Sequence, residues 1–313
     1  MKKYLALASA LLCAASLTAC HDDGDDDDDV QDYVADFTSA AKVSYIPGAQ
    51  TAASKVGLNA FMLSDNQGKT DVACYMYADE SEITEGYVID EEKFENFYGG
   101  FCPTGFSADD PSWDPYRPIT DAYHSGSGAL VCNPGTLCRP LFTRRHFAAD
   151  LGAVSSQLTL GDMKGLWVCP TAQYAKLKTA EGRSELGISS SVKNVQIRFY
   201  IYAYINSLSL GKLSEIIDML KTNLKESDTR AKNYVVLAEC DANGEWSVAE
   251  GWKYLDLEDV EDFYVFEATI SAVDKSTGKT VSTIELQGDD VEDSNKLNYC
   301  MVDDITVESK SLF

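Results

Sequence analysis

From about residue 40 to the C-terminus, short apolar or alternating runs recur between turn residues. Segment 42–46 ends at Pro47-Gly48, and 71–77 carries Val72, Cys74, Tyr75 and Tyr77. Segment 193–204 alternates polar and apolar positions before its aromatics begin. Segment 234–240 is followed by Asn243-Gly244, a hairpin turn, and then Trp246. Segment 263–273 faces 281–286 across Lys275-Ser276-Thr277-Gly278-Lys279, and 299–307 closes the chain. Period-two runs of this length joined by such turns predict strands and hairpins. Their number and spacing predict an all-β fold, an antiparallel β-sandwich. One segment breaks the pattern. Leu213, Ile216, Ile217, Leu220 and Leu224 form the stripe of an amphipathic helix over about 213–224, expected to lie over an open edge or end of the sandwich.

The start of the chain has a different organisation. Lys2 and Lys3 precede an apolar run over 5–17, too short for the ~20 residues of a spanning helix and laid out like a secretory signal peptide. Leu17-Thr18-Ala19-Cys20 resembles the bacterial lipoprotein box, which implies lipidation at Cys20 and a membrane anchor. Seven aspartates follow between 22 and 29, a block that cannot bury apolar surface and stays extended. The run also resembles the acidic export tag of Bacteroidetes lipoproteins, which implies display on the extracellular face of the outer membrane. It lacks the alternating ligands and distal glutamate of an EF-hand. The expected organisation is a signal peptide over 1–19, an acidic tether over 20–36 and one β-sandwich domain over 37–313.

Composition narrows the partners. With 45% hydrophobic and 24% charged residues the chain has ample core material, and its net charge of −24 repels phosphate backbones. Nucleic acid is therefore excluded as an expected partner. Nine cysteines are present; Cys13 leaves with the signal and Cys20 takes the lipid. The odd number remaining requires at least one free thiol. Cys132 and Cys138 are spaced to close a small loop around Pro134-Gly135, while most of the cysteines sit in apolar stretches and read as small buried hydrophobes. No Cys-x-x-Cys occurs and His21, His124 and His146 are scattered, so zinc is not expected.

Several pieces, in order, resemble the Bacteroidetes surface-lipoprotein family called domain of unknown function 4465. They are Phe97-Tyr98-Gly99-Gly100-Phe101 with Phe106-Ser107, Gly165-Leu166-Trp167 through Tyr174, Val235 through Glu239, Gly251-Trp252-Lys253-Tyr254-Leu255-Asp256-Leu257, and Tyr299 through Ile305. The resemblance spans roughly 90–307. Cys169-Pro170 and the 213–224 helix depart from the family's pattern. The resemblance implies a jelly-roll-like sandwich without catalytic machinery. It also implies capture of a small polar ligand, a corrinoid or a glycan, beside an outer-membrane nutrient transporter.

Four groups of residues carry possible chemistry. The loop over 109–118 holds Trp113, Tyr116 and Arg117 among three prolines, a stiff presentation of two stacking faces and a planar donor. His124 follows among glycines and can hydrogen-bond a ligand, whereas Ser125-Gly126-Ser127-Gly128 lacks the leading glycine of a hydrolase elbow. Arg139, Arg144, Arg145 and His146 form a basic cluster that grips an anion or pairs with local acids. Asp303 and Asp304 supply hard oxygens suited to a structural calcium ion. The expected function is non-catalytic ligand capture. A surface glycan hydrolase with an unrecognised carboxylate pair, and a structural or adhesive module, are the alternatives.

Overall fold

The computed structural model describes residues 30–35, 44–45, 58–62, 73–77, 100–104, 111–126, 128–134, 139–143, 161–204, 229–257, 265–288, 290–292 and 295–310. In chain order the strands are β1 (Val30–Ala35), β2 (Ser44–Tyr45), β3 (Leu58–Met62), β4 (Ala73–Tyr77), β5 (Gly100–Thr104), β6 (Ala129–Asn133), β7 (Arg139–Thr143) and β8 (Gly161–Pro170). They continue with β9 (Val195–Tyr204), β10 (Thr229–Cys240), β11 (Trp246–Val248), β12 (Lys253–Asp256), β13 (Val265–Asp274), β14 (Thr280–Ser282) and β15 (Cys300–Lys310). Two short helices, α1 (Ala180–Glu185) and α2 (Thr283–Gln287), and 3-10 turns over Pro111–Tyr116 and Ala172–Lys178 complete the described elements.

The strands form two antiparallel sheets. A six-stranded sheet runs β12-β8-β15-β6-β5 with β1 also on β15, and a nine-stranded sheet runs β11-β10-β9-β13-β7-β4-β3-β2 with β14 on β13. Period-two burial shows how they stack. On β9, Val195, Ile197, Phe199 and Ile201 are buried; on β13, Phe266, Ala268, Ile270 and Ala272 are. These side chains share one core with Leu130 and Cys132 of β6, Leu166 and Val168 of β8, and Cys300 and Val302 of β15. Side chains from two facing sheets in one cluster make an all-β sandwich.

The hairpin over Asn243-Gly244 is present between β10 and β11. Its turn is tied by Asp241, whose carboxylate accepts the N–H of Asn243 and of Glu245, while Gly244 takes φ +89. The hairpin from β13 to β14 is also present, but the second strand stops at Ser282 where sequence predicts strand to residue 286. A local competitor wins there. The Ser282 hydroxyl accepts the Glu285 N–H and the Glu285 carboxylate accepts the Ser282 N–H, a capping box that starts α2.

Strand β1 lies inside the span read as tether, pairing Val30 with Lys310 and Ala35 with Ile305. Val30, Tyr33 and Val34 give that stretch β-forming side chains that the aspartate run lacks. Cys20, the aspartates over 22–29, the helix over 213–224, and Cys138, Arg144, Arg145 and His146 lie outside the described residues.

Candidate functional site

The outer face of the six-stranded sheet carries a second apolar cluster. Ala129, Val131, Cys169, Tyr299 and Met301 are buried there under Tyr116, Ile119, Tyr123 and Trp252. The segment over 111–126 therefore crosses that face, sewn to the end of β8 by Ile119 N–H to the Pro170 carbonyl (2.9 Å) and Ala172 N–H to the Arg117 carbonyl (2.9 Å). Its far end brings His124 and Ser125 onto the middle of β15.

A bulge prepares β15 to receive them. Asp303 pairs with Trp167 and Thr306 with Gly165, so Asp304 and Ile305 together face the single residue Leu166. The extra residue is taken up at Asp304, which has φ +45. Regular alternation would send the residue after Asp303 into the core. Because of the bulge, Ile305 enters the core instead and both carboxyls serve the outer face.

Each carboxyl has defined partners. Asp303 accepts the backbone N–H groups of Asp304 (2.9 Å, on Oδ1), His124 (3.1 Å) and Ser125 (3.3 Å, both on Oδ2). Asp304 accepts the Ser125 hydroxyl at 2.6 Å and faces His124 Nδ1 at 2.5 Å. Asp303 has no exposed surface, and burial, with the Asp304 charge beside it, pushes its carboxyl up to about 8 against the pull of the three N–H groups.

Around this pair lies an aromatic row. Tyr254 on β12 pairs across to Trp167 on β8, which pairs across to Asp303 on β15. The His124 ring stacks on the Trp167 indole with centroids 3.9 Å apart and planes 20° from parallel. Trp252 meets His124 edge-on at 5.9 Å and is fixed by its indole N–H to the Ala122 carbonyl at 2.9 Å. Trp167 and Tyr254 rings are 5.4 Å apart, and Tyr254 is 41% exposed. Gly165 makes room for this row: a Cβ there would sit 2.5 Å from the Tyr254 ring and from the Leu255 carbonyl oxygen.

Chemically, the arrangement offers a partly exposed imidazole whose ring is fixed twice, by Asp304 at one nitrogen and by Trp167 at its face. The Ser125 hydroxyl donates to Asp304 and makes no hydrogen bond to His124, so the three residues lack the serine–histidine contact of an activated nucleophile.

No family model and no curated protein matches the chain. Solved structures do. Its structural neighbours are DUF4465 family proteins. One, from Bacteroides caccae, is 14% identical over 81% of this chain and 87% of its own, with a TM-score of 0.45. Another, from Bacteroides ovatus, is 14% identical over 90% of this chain and 100% of its own, also with a TM-score of 0.45. The K2 cleaved adhesin domain of Lys-gingipain is 8% identical over 88% of this chain and 99% of its own, with a TM-score of 0.30. The likeness concerns the fold alone, and no DUF4465 site residue is carried over from it.

The structure brings His124, Asp303 and Asp304 together, three residues that sequence reasoning nominated for separate purposes. It places Tyr116 and Arg117 elsewhere. Tyr116 packs edge-on against Tyr299 with centroids 5.3 Å apart, and Arg117 pairs with Asp114 at 2.7 Å and with Asp121. Both side chains, expected from sequence to face a ligand, thus have partners within the folded chain. The backbone of Trp113 lies in the 3-10 turn; its side chain lies outside the described residues. Residues 111–116 form that turn and not an open loop because Pro111 and Pro115 fix φ and Asp114 is tied to Arg117.

Trp167, Trp252, Tyr254 and Ser125 were not singled out from sequence as site residues. The available signal was period two: Trp167 sits between Leu166 and Val168, both buried, so it must face the other side of β8. A calcium ion on Asp303 and Asp304 would share oxygens that already accept N–H and hydroxyl groups and that face the His124 imidazole. Among the described residues no group of three or more His, Cys, Asp or Glu is arranged to hold a metal ion.

Proposed function

We propose that this chain is a non-catalytic outer-surface lipoprotein that captures a small polar ligand with a flat face, a corrinoid or a glycan, beside an outer-membrane nutrient transporter. Capture takes place on the row Tyr254–Trp167–His124–Trp252. The observation that carries this reading is the imidazole stacked on Trp167 and oriented by Asp304, next to a tyrosine that is 41% exposed. Rings packed against one another lose little freedom on binding, and an oriented imidazole supplies a directional hydrogen bond. The lipid anchor at Cys20 and the acidic tether supply the address and the reach.

The non-catalytic reading rests on the state of the carboxyls. Asp303 titrates high, as a general acid should, yet it has no exposed surface and among the described residues its hydrogen-bond donors are the backbone N–H groups of His124, Ser125 and Asp304. A buried acid cannot reach a glycosidic oxygen.

Calorimetry against cobalamin and a panel of host and plant glycans tests the proposal. Tyr254→Ala should weaken binding by roughly ten- to a hundredfold, about 1.4–2.7 kcal/mol, with the melting midpoint held, and His124→Ala should weaken it as much with a lowered midpoint, because Asp304 loses its imidazole partner. Trp113→Ala is the contrasting arm. Loss of affinity there, with Tyr254→Ala unaffected, would move the site to the loop over 109–118. Turnover of any glycan in the panel would replace capture with hydrolysis.

A further inference from the structure

Cysteines 132 and 300 face one another directly across the antiparallel pair β6 and β15. Both side chains are 0% exposed and belong to the main core, and both are free thiols in this structure. The Cys132 thiol lies within hydrogen-bonding reach of Cys300. Directly opposed residues of an antiparallel pair have Cα atoms about 4.5–5.5 Å apart, inside the ~4.4–6.8 Å span of disulfides. The other described thiols are not opposed in this way: Cys169 pairs with Met301 on the outer face, and Cys240 pairs with Trp246 on the other sheet.

We infer that Cys132 and Cys300 are a cross-strand disulfide site, oxidised in the exported protein and joining β6 to β15 next to the bulge that carries Asp303 and Asp304. The bond forms by two thiol–disulfide exchanges with a disulfide-bearing oxidant. One thiolate attacks the oxidant's disulfide and gives a mixed disulfide. The second then attacks that cysteine's sulfur and releases the oxidant as a dithiol. The two cysteines lose two protons and two electrons, and the oxidant gains them. Closure of the sandwich removes both sulfurs from solvent, and burial pushes the Cys300 thiol up, so exchange belongs to the folding chain and the finished bond is shielded from reductants. An exported protein meets an oxidising compartment in which such bonds persist. Sequence alone also allowed Cys132 to pair with Cys138, which lies outside the described residues; the strand register puts Cys300 opposite Cys132.

The test is a thiol map of the full chain exported into a bacterial periplasm, trapped with N-ethylmaleimide in denaturant and digested without reductant. A cross-linked peptide pair joining Cys132 to Cys300 is expected, and protein unfolded and refolded in reductant should melt about 5–10 °C below the oxidised protein. In Cys300→Ala and in Cys132→Ala that dependence on reductant should vanish. If either variant fails to fold, the wild-type map still decides. N-ethylmaleimide on both residues, or a Cys132–Cys138 link, overturns the inference.

Discussion

The buried carboxyl of Asp303 makes the stability of this fold depend on pH in a direction opposite to that of most paired acids. Its folded value is about 8 against an ordinary 3.8, so between those limits the native state holds a proton that the unfolded chain has released. Stability therefore has its full contribution below about pH 4 and loses it as pH rises toward 8, at about 1.4 kcal/mol per pH unit. From pH 5 to pH 7 the loss is about 2.7 kcal/mol. Asp303→Asn removes the titration and keeps the shape. One of its oxygens must become an NH2 group facing a backbone N–H, which costs roughly 1–3 kcal/mol at every pH. That offset is constant, so the diagnostic quantity is the difference between wild type and variant, measured by urea unfolding at pH 5, 6, 7 and 8 with tryptophan fluorescence. The wild-type advantage should shrink by about 2–3 kcal/mol from pH 5 to pH 7. Parallel curves would show that Asp303 titrates normally, and that the three N–H donors outweigh burial.

Gly165→Ala should force the Tyr254 ring and the β12 backbone away from β8 and cost about 1–3 kcal/mol, with ligand affinity falling in the same variant; an unchanged melting midpoint would refute the packing of the aromatic row. Cys20→Ala should release the protein from membranes, and alanine at Asp25 to Asp29 should leave it anchored but shielded from protease added to whole cells; a wild-type protein spared by that protease would remove surface display. If calcium takes Asp303 and Asp304, millimolar calcium should raise the melting midpoint of the wild type and not of Asp304→Ala, and identical midpoints in calcium and in chelator would remove the ion from the account.

The sandwich was legible in the chain because its signals are local. Alternation over 195–204 and 265–274 states which side chains face inward, and Asn243-Gly244 states where a hairpin turns. The signal at 283–286 is equally local but divided: its apolar residues favour strand, and the Ser282–Glu285 capping box, which favours helix, prevails. His124, Asp303 and Asp304 were each visible as reactive side chains without a stated connection. Only tertiary structure decided that they come together. The His124–Asp304 contact spans 180 positions and depends on β15 pairing with β8, on one extra residue at the bulge, and on a segment laid across the sheet's outer face. Periodicity fixes the face of each strand but says nothing about which strands become neighbours. The same limit explains Arg117. Sequence identifies a planar donor in a stiff segment; the folded chain decides that Asp114 and Asp121 use it. Side-chain chemistry and strand faces are properties of short stretches, whereas a binding site is a property of distances between stretches, and those are set by the packing of the whole sandwich.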